Sequence, residues 1–221
     1  MGLQHDPGQR FTRGPVIGQT RQEFQRQLKR CLDILGALFL LVVALPVLAG
    51  ISLVIVLETG WPVLYRRRVL GLNGEFEAFK FRTMIPDADR VLNADPALKA
   101  EFERNFKLKN DPRVTRVGAF LRKRSLDELP QLWNVLCGQM SLVGPRMITA
   151  PELAKYGTQK QLLLSVRPGL TGYWQVHGRQ DVSYEERVTM DVRYVREWNL
   201  IMDLKILAQT PRKVLKGEGA F

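Results

Sequence analysis

The sequence predicts a mostly helical α+β protein with an apolar membrane helix, a small antiparallel β-hairpin and amphipathic helices at a membrane surface. Three observations predict it. Residues 34–57 carry no charged side chain. An Asn73-Gly74 pair separates two strand-like stretches. Ser183-Tyr-Glu-Glu186 is a capping box that opens a long amphipathic region.

The uncharged run, Ile34 to Leu57, is 24 residues, about 36 Å as a helix against a hydrocarbon core of ~30 Å. Pro46 lies near its middle and lacks the N–H that would bond the Val42 carbonyl. Both flanks are basic, with Arg26, Lys29 and Arg30 before and Arg66, Arg67 and Arg68 after. The positive-inside rule places both flanks on the cytoplasmic side. A helix broken at Pro46 that re-enters the same face satisfies this, although ordinary spans also tolerate proline. Residues 1–25 are polar, with Pro7 and Pro15, and read as a disordered tail. The apolar run begins too late for a signal peptide. The division is therefore a tail (1–25), a membrane segment (26–58) and a cytoplasmic catalytic domain (59–221).

In the hairpin, Pro62 to Arg68 and Glu75 to Arg82 form the strands, joined at Asn73-Gly74. Phe79 and Phe81 share one face, and Lys80 and Arg82 the other, a pattern suited either to phosphate or to a solvated edge. The net charge of +11 favours anionic partners without choosing among them. Cys31 and Cys137 form no CxxC, and His5 and His177 are isolated, so no zinc site is expected. Between Arg104 and Arg124 there are eight Lys/Arg and one acid, Asp111. There, Arg113, Arg116, Arg122, Lys123 and Arg124 can line a phosphate groove or face anionic headgroups.

Directly after this cluster stand Asp127 and Glu128. Ser125-Leu-Asp-Glu128 matches a capping box, in which Glu128 bonds back to the Ser125 backbone. Pro130 fits better with Asp127 as the cap, since proline is costless in a first helical turn. Both carboxylates then lie at the positive end of a helix dipole, which keeps Asp127 ionised. An ionised aspartate can attack phosphorus and form an acyl phosphate, and Glu128 can hold Mg²⁺ against a diphosphate. Capping and catalysis both remain open on the pattern alone.

Six ordered blocks carry a resemblance: Phe79-Lys-Phe-Arg-Thr-Met84; Asp111-Pro-Arg-Val-Thr-Arg-Val-Gly118; Leu121 to Asn134; Met140-Ser-Leu-Val-Gly-Pro-Arg146; Arg167-Pro-Gly-Leu-Thr-Gly172; and Ser183-Tyr-Glu-Glu-Arg-Val188 with Asp191 and Tyr194-Val195. In these the chain, from about residue 26 to 221, resembles the bacterial sugar transferases, the monotopic phosphoglycosyl transferases. The resemblance implies transfer of a sugar-1-phosphate from a UDP-sugar to undecaprenyl phosphate with release of UMP. It implies a ping-pong mechanism that needs Mg²⁺, with Asp127 as nucleophile and Glu128 as its acidic partner and metal ligand. By the same match Lys80, Arg82, Arg124, Arg146 and Arg167 contact phosphate or nucleotide. Asp191 binds metal or organises the site. The anchor is implied to be re-entrant, in the bacterial inner membrane with the catalytic domain on the cytoplasmic face, and a homodimer is implied by analogy. The chain departs from the family pattern at Leu45, where many members carry Ser, at Met147, where many carry a second Pro, and at Arg67 and Val69.

The region beyond Ser183 suits the headgroup layer. Trp198, Leu200, Ile201, Leu204, Ile206 and Leu207 are interspersed with Asp203 and Lys205, although a core-packing helix with a basic outer face fits as well. No zinc-finger or RNP-like motif accompanies the positive charge, so nucleic acid is not an expected partner. An inactive scaffold for polysaccharide assembly is the alternative function. The one segment and short form favour exopolysaccharide synthesis with a galactose or glucose donor.

Overall fold

The structure, a computed structural model, describes residues 17–105, 108, 110–178 and 182–216. Sixteen residues of the expected tail, 1–16, lie outside the described residues, as do Lys107 and Lys109 of the basic stretch. Helix α1 runs from Ile17 to Thr59, so residues 17–25 are helical where a disordered tail is expected. It passes through Pro46 without interruption. The expected break at Pro46 is therefore not a break in the helix. Proline's fixed φ is compatible with a helix, but it removes one backbone bond and its ring crowds the carbonyl four residues earlier, which bends a helix without ending it.

One stripe of α1 faces the rest of the chain. Asp33 and Ala37 are buried, Leu41 packs beside Ala37, Leu48 and Ile51 continue the line, and Ile55 is buried again. The three- and four-residue spacing is that of one helix face. The opposite side is an exposed apolar band that includes Leu35, Phe39, Val43, Leu53 and Leu57. By length and composition α1 is able to cross a membrane.

Strands β1 (Leu64–Gly71) and β2 (Gly74–Phe81) form the antiparallel hairpin, in register from Leu64↔Phe81 to Gly71↔Gly74. The turn residues are thus Leu72 and Asn73, one position earlier than expected. Gly74 opens β2 at φ +100°, which only glycine adopts freely. Val69, a departure from the family pattern, is 1% exposed and belongs to the main core, as does Met147. Both departures therefore supply packing. Arg67 points instead to Glu152 at 3.2 Å.

Two short helices follow, α2 (Ala88–Ala94) and α3 (Pro96–Asn105). Helix α4 (Arg116–Lys123) is capped by Thr115, whose hydroxyl accepts from the Gly118 amide at 2.9 Å. A 3₁₀ turn, Leu126–Glu128, leads to α5 (Gln131–Leu136). Strand β3 (Ser141–Val143) pairs in parallel with β4 (Gly169–Thr171), a second small sheet that the sequence does not announce. Between them lie α6 (Ala150–Leu153) and α7 (Lys160–Leu164). Helices α8 (Tyr173–His177), α9 (Tyr184–Glu197) and α10 (Leu200–Lys216) complete the chain. The Ser183–Glu186 capping box forms as expected, with the Ser183 amide donating to Glu186 at 2.7 Å.

The main core joins Ala37, Val69, Leu132, Val135, Met140, Val143, Val176, Tyr194 and Ile206. Helix α10 therefore packs inward through Ile206, while Ile201 and Leu204 stay exposed on its outer side. The Gly-Pro-Arg and Arg-Pro-Gly blocks are explained by close backbone approach. A Cβ on Gly169 would lie 2.1 Å from the Gly144 nitrogen, and one on Gly172 would lie 2.1 Å from the Gly144 oxygen.

Candidate active site

Asn134 builds the site. It is fully buried, and its Oδ1 accepts from the Phe79 amide at 3.0 Å while its Nδ2 donates to the Glu77 carbonyl at 2.7 Å. Helix α5 is thereby fastened to β2, and the acidic pair just before α5 is set against Lys80. Lys80 donates to Glu128 Oε1 at 2.6 Å, and Arg146 donates to the same oxygen at 3.0 Å. The expected capping box does not form: the Ser125 side chain makes no cap hydrogen bond, and Glu128 Oε1 accepts from these two cations instead. Nor does Asp127 cap α5: the cap position is Pro130, and Asp127 lies in the preceding 3₁₀ turn. Ser125, at φ +53°, turns the chain into that 3₁₀ turn, the sole positive-φ residue other than glycine among the described residues.

Asp127 is 7% exposed. Among the described residues its carboxylate has no ion pair. Burial pushes its pKa up, and Lys80, Arg122 and Arg146 pull against burial and the Glu128 charge. Desolvation outweighs the cations in the balance, so its pKa lies above the ordinary aspartate value. Glu128 goes the other way. Burial would raise it, but Arg146 and Lys80 prevail and hold it at about 2. One carboxylate is thus neutralised by ion pairing, and its neighbour is kept available. The Arg122 Nε donates to Thr83 Oγ1 at 2.9 Å, which holds this cation beside Asp127.

The other expected contacts lie elsewhere. Arg82 donates to the Thr59 carbonyl at 2.9 Å and its hydroxyl at 2.7 Å, so it clamps the end of α1. Arg167 donates to the Gly138 carbonyl at 2.7 Å, across the turn after α5. Arg124 ends α4, one residue before the Ser125 turn. Arg113, expected in a phosphate groove, is instead 3% exposed and closed onto Asp111 by bonds of 2.7 and 2.6 Å. Asp191 is fully buried behind Arg146, accepting from the Tyr156 hydroxyl at 2.7 Å. Burial raises it to about 6, against the pull of Arg187, Tyr156 and the Arg146 amide. Trp174 and Arg187 complete this side, with the Arg146 and Arg187 guanidinium carbons 5.9 and 5.1 Å from the Trp174 ring centroid. Neither stands out as a site residue in the sequence, although Arg187 falls within the Ser183–Val188 block. Gln131, 1% exposed with both amide atoms unpaired, gives no sequence signal at all.

The Asp191 shift has a testable sign. Its folded pKa lies above the ordinary 3.8, so the folded state holds the proton more tightly than the unfolded state. Its ionisation therefore costs stability as pH rises from 4 towards 6, by about 3 kcal/mol at most. The stability of Asp191→Asn relative to the parent is expected to climb over that window in urea unfolding at pH 4, 5, 6 and 7. Parallel profiles would refute the shift.

A buried acidic pair ringed by cations, reached from β2, α4 and the loop after β3, agrees with the resemblance in the sequence. A profile of the bacterial sugar transferase family matches residues 24–217. The chain belongs to the bacterial sugar transferases. Among these transferases it is 46% identical over 210 residues to the UDP-galactose-lipid carrier transferase of Erwinia amylovora, covering 93% of this chain and 44% of that protein. It is 45% identical over 201 residues to the undecaprenyl-phosphate galactose phosphotransferase of Salmonella typhimurium, covering 89% and 42%. The chain thus spans less than half the length of these two relatives. The exopolysaccharide production protein ExoY of Rhizobium meliloti is 44% identical over 198 residues, with 87% and 88% covered.

Proposed function

We propose that the chain transfers a hexose-1-phosphate, of galactose or glucose, from a UDP-sugar to undecaprenyl phosphate and releases UMP. The observation that carries this reading is the unpaired, buried Asp127 beside an ion-paired Glu128, with Lys80, Arg122 and Arg146 around them. The relatives support the same substrates by name: a UDP-galactose-lipid carrier transferase and an undecaprenyl-phosphate galactose phosphotransferase.

In this reading an Asp127 oxygen attacks the phosphorus that bears the sugar. The bond from that phosphorus to the bridging oxygen breaks, and UMP leaves with the electron pair. An oxygen of the lipid phosphate then attacks the aspartyl phosphate, the acyl–phosphate bond breaks, and Asp127 is regenerated as carboxylate. Lys80, Arg122 and Arg146 offset the charge that builds on the transferred phosphoryl group. Burial excludes water that would otherwise hydrolyse the acyl phosphate.

The residues fit a Mg²⁺ ion of the kind held largely by substrate oxygens. Both Glu128 cations sit on Oε1 and leave Oε2 to the site. Mg²⁺ commonly needs only one or two carboxylates beside phosphate. Glu128, with Asp127, would hold it, and the ion would neutralise diphosphate charge. Asp191, closed behind Arg146, serves in this reading to organise the site.

The apolar helix enters and leaves one face of the membrane. Both of its flanks are held by the same body: Asp33 by the Leu142 amide at 2.9 Å, and Glu58 by the Val117 amide at 3.1 Å. Contacts from both flanks to one body support both ends lying on the same face. The basic flanks put that face in the cytoplasm, where the catalytic body meets a lipid-borne acceptor arriving along the bilayer.

The test is UMP release by the full chain in nanodiscs with Mg²⁺, undecaprenyl phosphate and a panel of UDP-sugars. Release that requires both the lipid and one donor is expected. Absence of release from every donor, with the protein folded and lipid present, would overturn the assignment.

A further inference from the structure

A second group of buried donors lies beside the acidic pair and is left without acceptors. The Arg187 guanidinium carbon stands 5.1 Å from the Trp174 ring centroid and 5.0 Å from that of Tyr184. Its Nε and Nη2 are buried with no hydrogen-bond partner, and so are Trp174 Nε1 and the Tyr184 hydroxyl. Two acids are close to this cluster: Asp191 forms an ion pair with Arg187 and its Oδ1 is itself buried without a hydrogen-bond partner, and Glu152 is engaged. Asp191 Oδ2 accepts from Tyr156 at 2.7 Å and stands 3.9 Å from Arg187 Nε, beyond hydrogen-bond reach. Glu152 Oε2 accepts from the Thr149 amide and hydroxyl and from Arg67.

Buried donors without acceptors are rare and costly, and functional sites are one reason they persist. The chemistry of this set is one-sided. A guanidinium and an indole N–H can only donate, and the aromatic rings hold the Arg187 fork in place for two-point recognition of an oxyanion. The set therefore selects an anion. Its position narrows the choice, since Arg146 stands over the same Trp174 ring and donates to Glu128. Helix α9 packs chiefly on α7, α8 and the 3₁₀ turn at 154–159. A phosphate held there would lie next to the Arg146 that pairs with Glu128.

We infer that Arg187, with Trp174 Nε1 and the Tyr184 hydroxyl, binds the phosphate of the nucleoside monophosphate half of the donor and holds it as the leaving group. This rests on the proposed transferase reading and names a residue set for its nucleotide. Lys80, Arg122 and Arg146 then serve the phosphoryl group that moves, and Arg187 serves the one that departs.

The test is equilibrium binding of UMP and of uridine to the full chain in nanodiscs, by titration calorimetry, with Arg187→Gln, Arg187→Lys and Trp174→Phe. Arg187→Gln is expected to weaken UMP at least tenfold and uridine less than twofold. Trp174→Phe, which keeps an aromatic ring and loses the N–H, is expected to weaken UMP roughly threefold or more. Arg187→Lys keeps the charge without the fork and is expected to fall between the parent and Arg187→Gln. Arg187→Gln also removes the ion pair with buried Asp191, so the deciding readout is the UMP-against-uridine split, which a purely structural Arg187 would not show. UMP binding unchanged in Arg187→Gln and Trp174→Phe would overturn the inference while leaving the transferase reading intact. A raised KM for undecaprenyl phosphate with UMP affinity unchanged would also overturn it and assign the donors to the lipid phosphate. A parent chain that neither binds UMP nor turns over any UDP-sugar would remove the transferase reading itself, and the inference with it.

Discussion

Asp127→Asn is expected to lower UMP release by roughly 10³-fold or more, since loss of a covalent nucleophile leaves only binding and electrostatics to act. The same substitution is expected to leave the fold intact. Asp127 makes no ion pair among the described residues, and burial raises its pKa. A carboxyl whose folded pKa is raised destabilises the folded state when it ionises at neutral pH, so a neutral amide of the same shape should melt at the parent temperature or above it. The combination separates a nucleophile from a structural acid, because a structural acid would lose stability and activity together. Glu128→Gln makes the contrast, as it strips the partner from Lys80 and Arg146. Turnover retained in Asp127→Asn would exclude it as nucleophile.

Asp203→Ala is expected to have the largest effect on stability. Asp203 is 3% exposed and accepts from Lys29 Nζ at 2.6 Å, from the Tyr194 hydroxyl at 2.7 Å and from Trp198 Nε1 at 3.1 Å. It joins α1, α9 and α10 at one carboxylate. Removing one partner of a buried pair leaves the other charge uncompensated, at about 3–5 kcal/mol. For a chain of this size that is a drop of roughly 6–20 °C in melting temperature, measurable by thermal unfolding in nanodiscs. Lys29→Met combined with Asp203→Leu removes both charges and should recover much of the loss. A drop of only a degree or two would mean that the Asp203 carboxylate contributes little to holding α1.

Much of the architecture is legible in the residues because it depends on local or periodic signals. The uncharged run marks α1, Asn73-Gly74 marks the hairpin to within one residue, and the Ser183–Glu186 capping box marks the start of α9. The adjacency of Asp127 and Glu128 to a basic cluster, together with the ordered blocks around it, is enough to point to the family. These features lie within a few residues of one another, so composition and spacing report them directly.

What the tertiary structure alone decided is which charges face one another. Lys80 and Glu128 are 48 residues apart and meet because Asn134 ties α5 to β2. Nothing in the local sequence separates Lys80, which reaches the acidic pair, from Arg82, which clamps α1, or from Arg113, which closes on Asp111. The same holds for desolvation. Asp127 and Glu128 are neighbours of like chemistry, yet burial raises the first while two cations lower the second. Only the packed fold fixes how much water and which partners each carboxylate keeps, and that difference is what gives two adjacent acids separate roles.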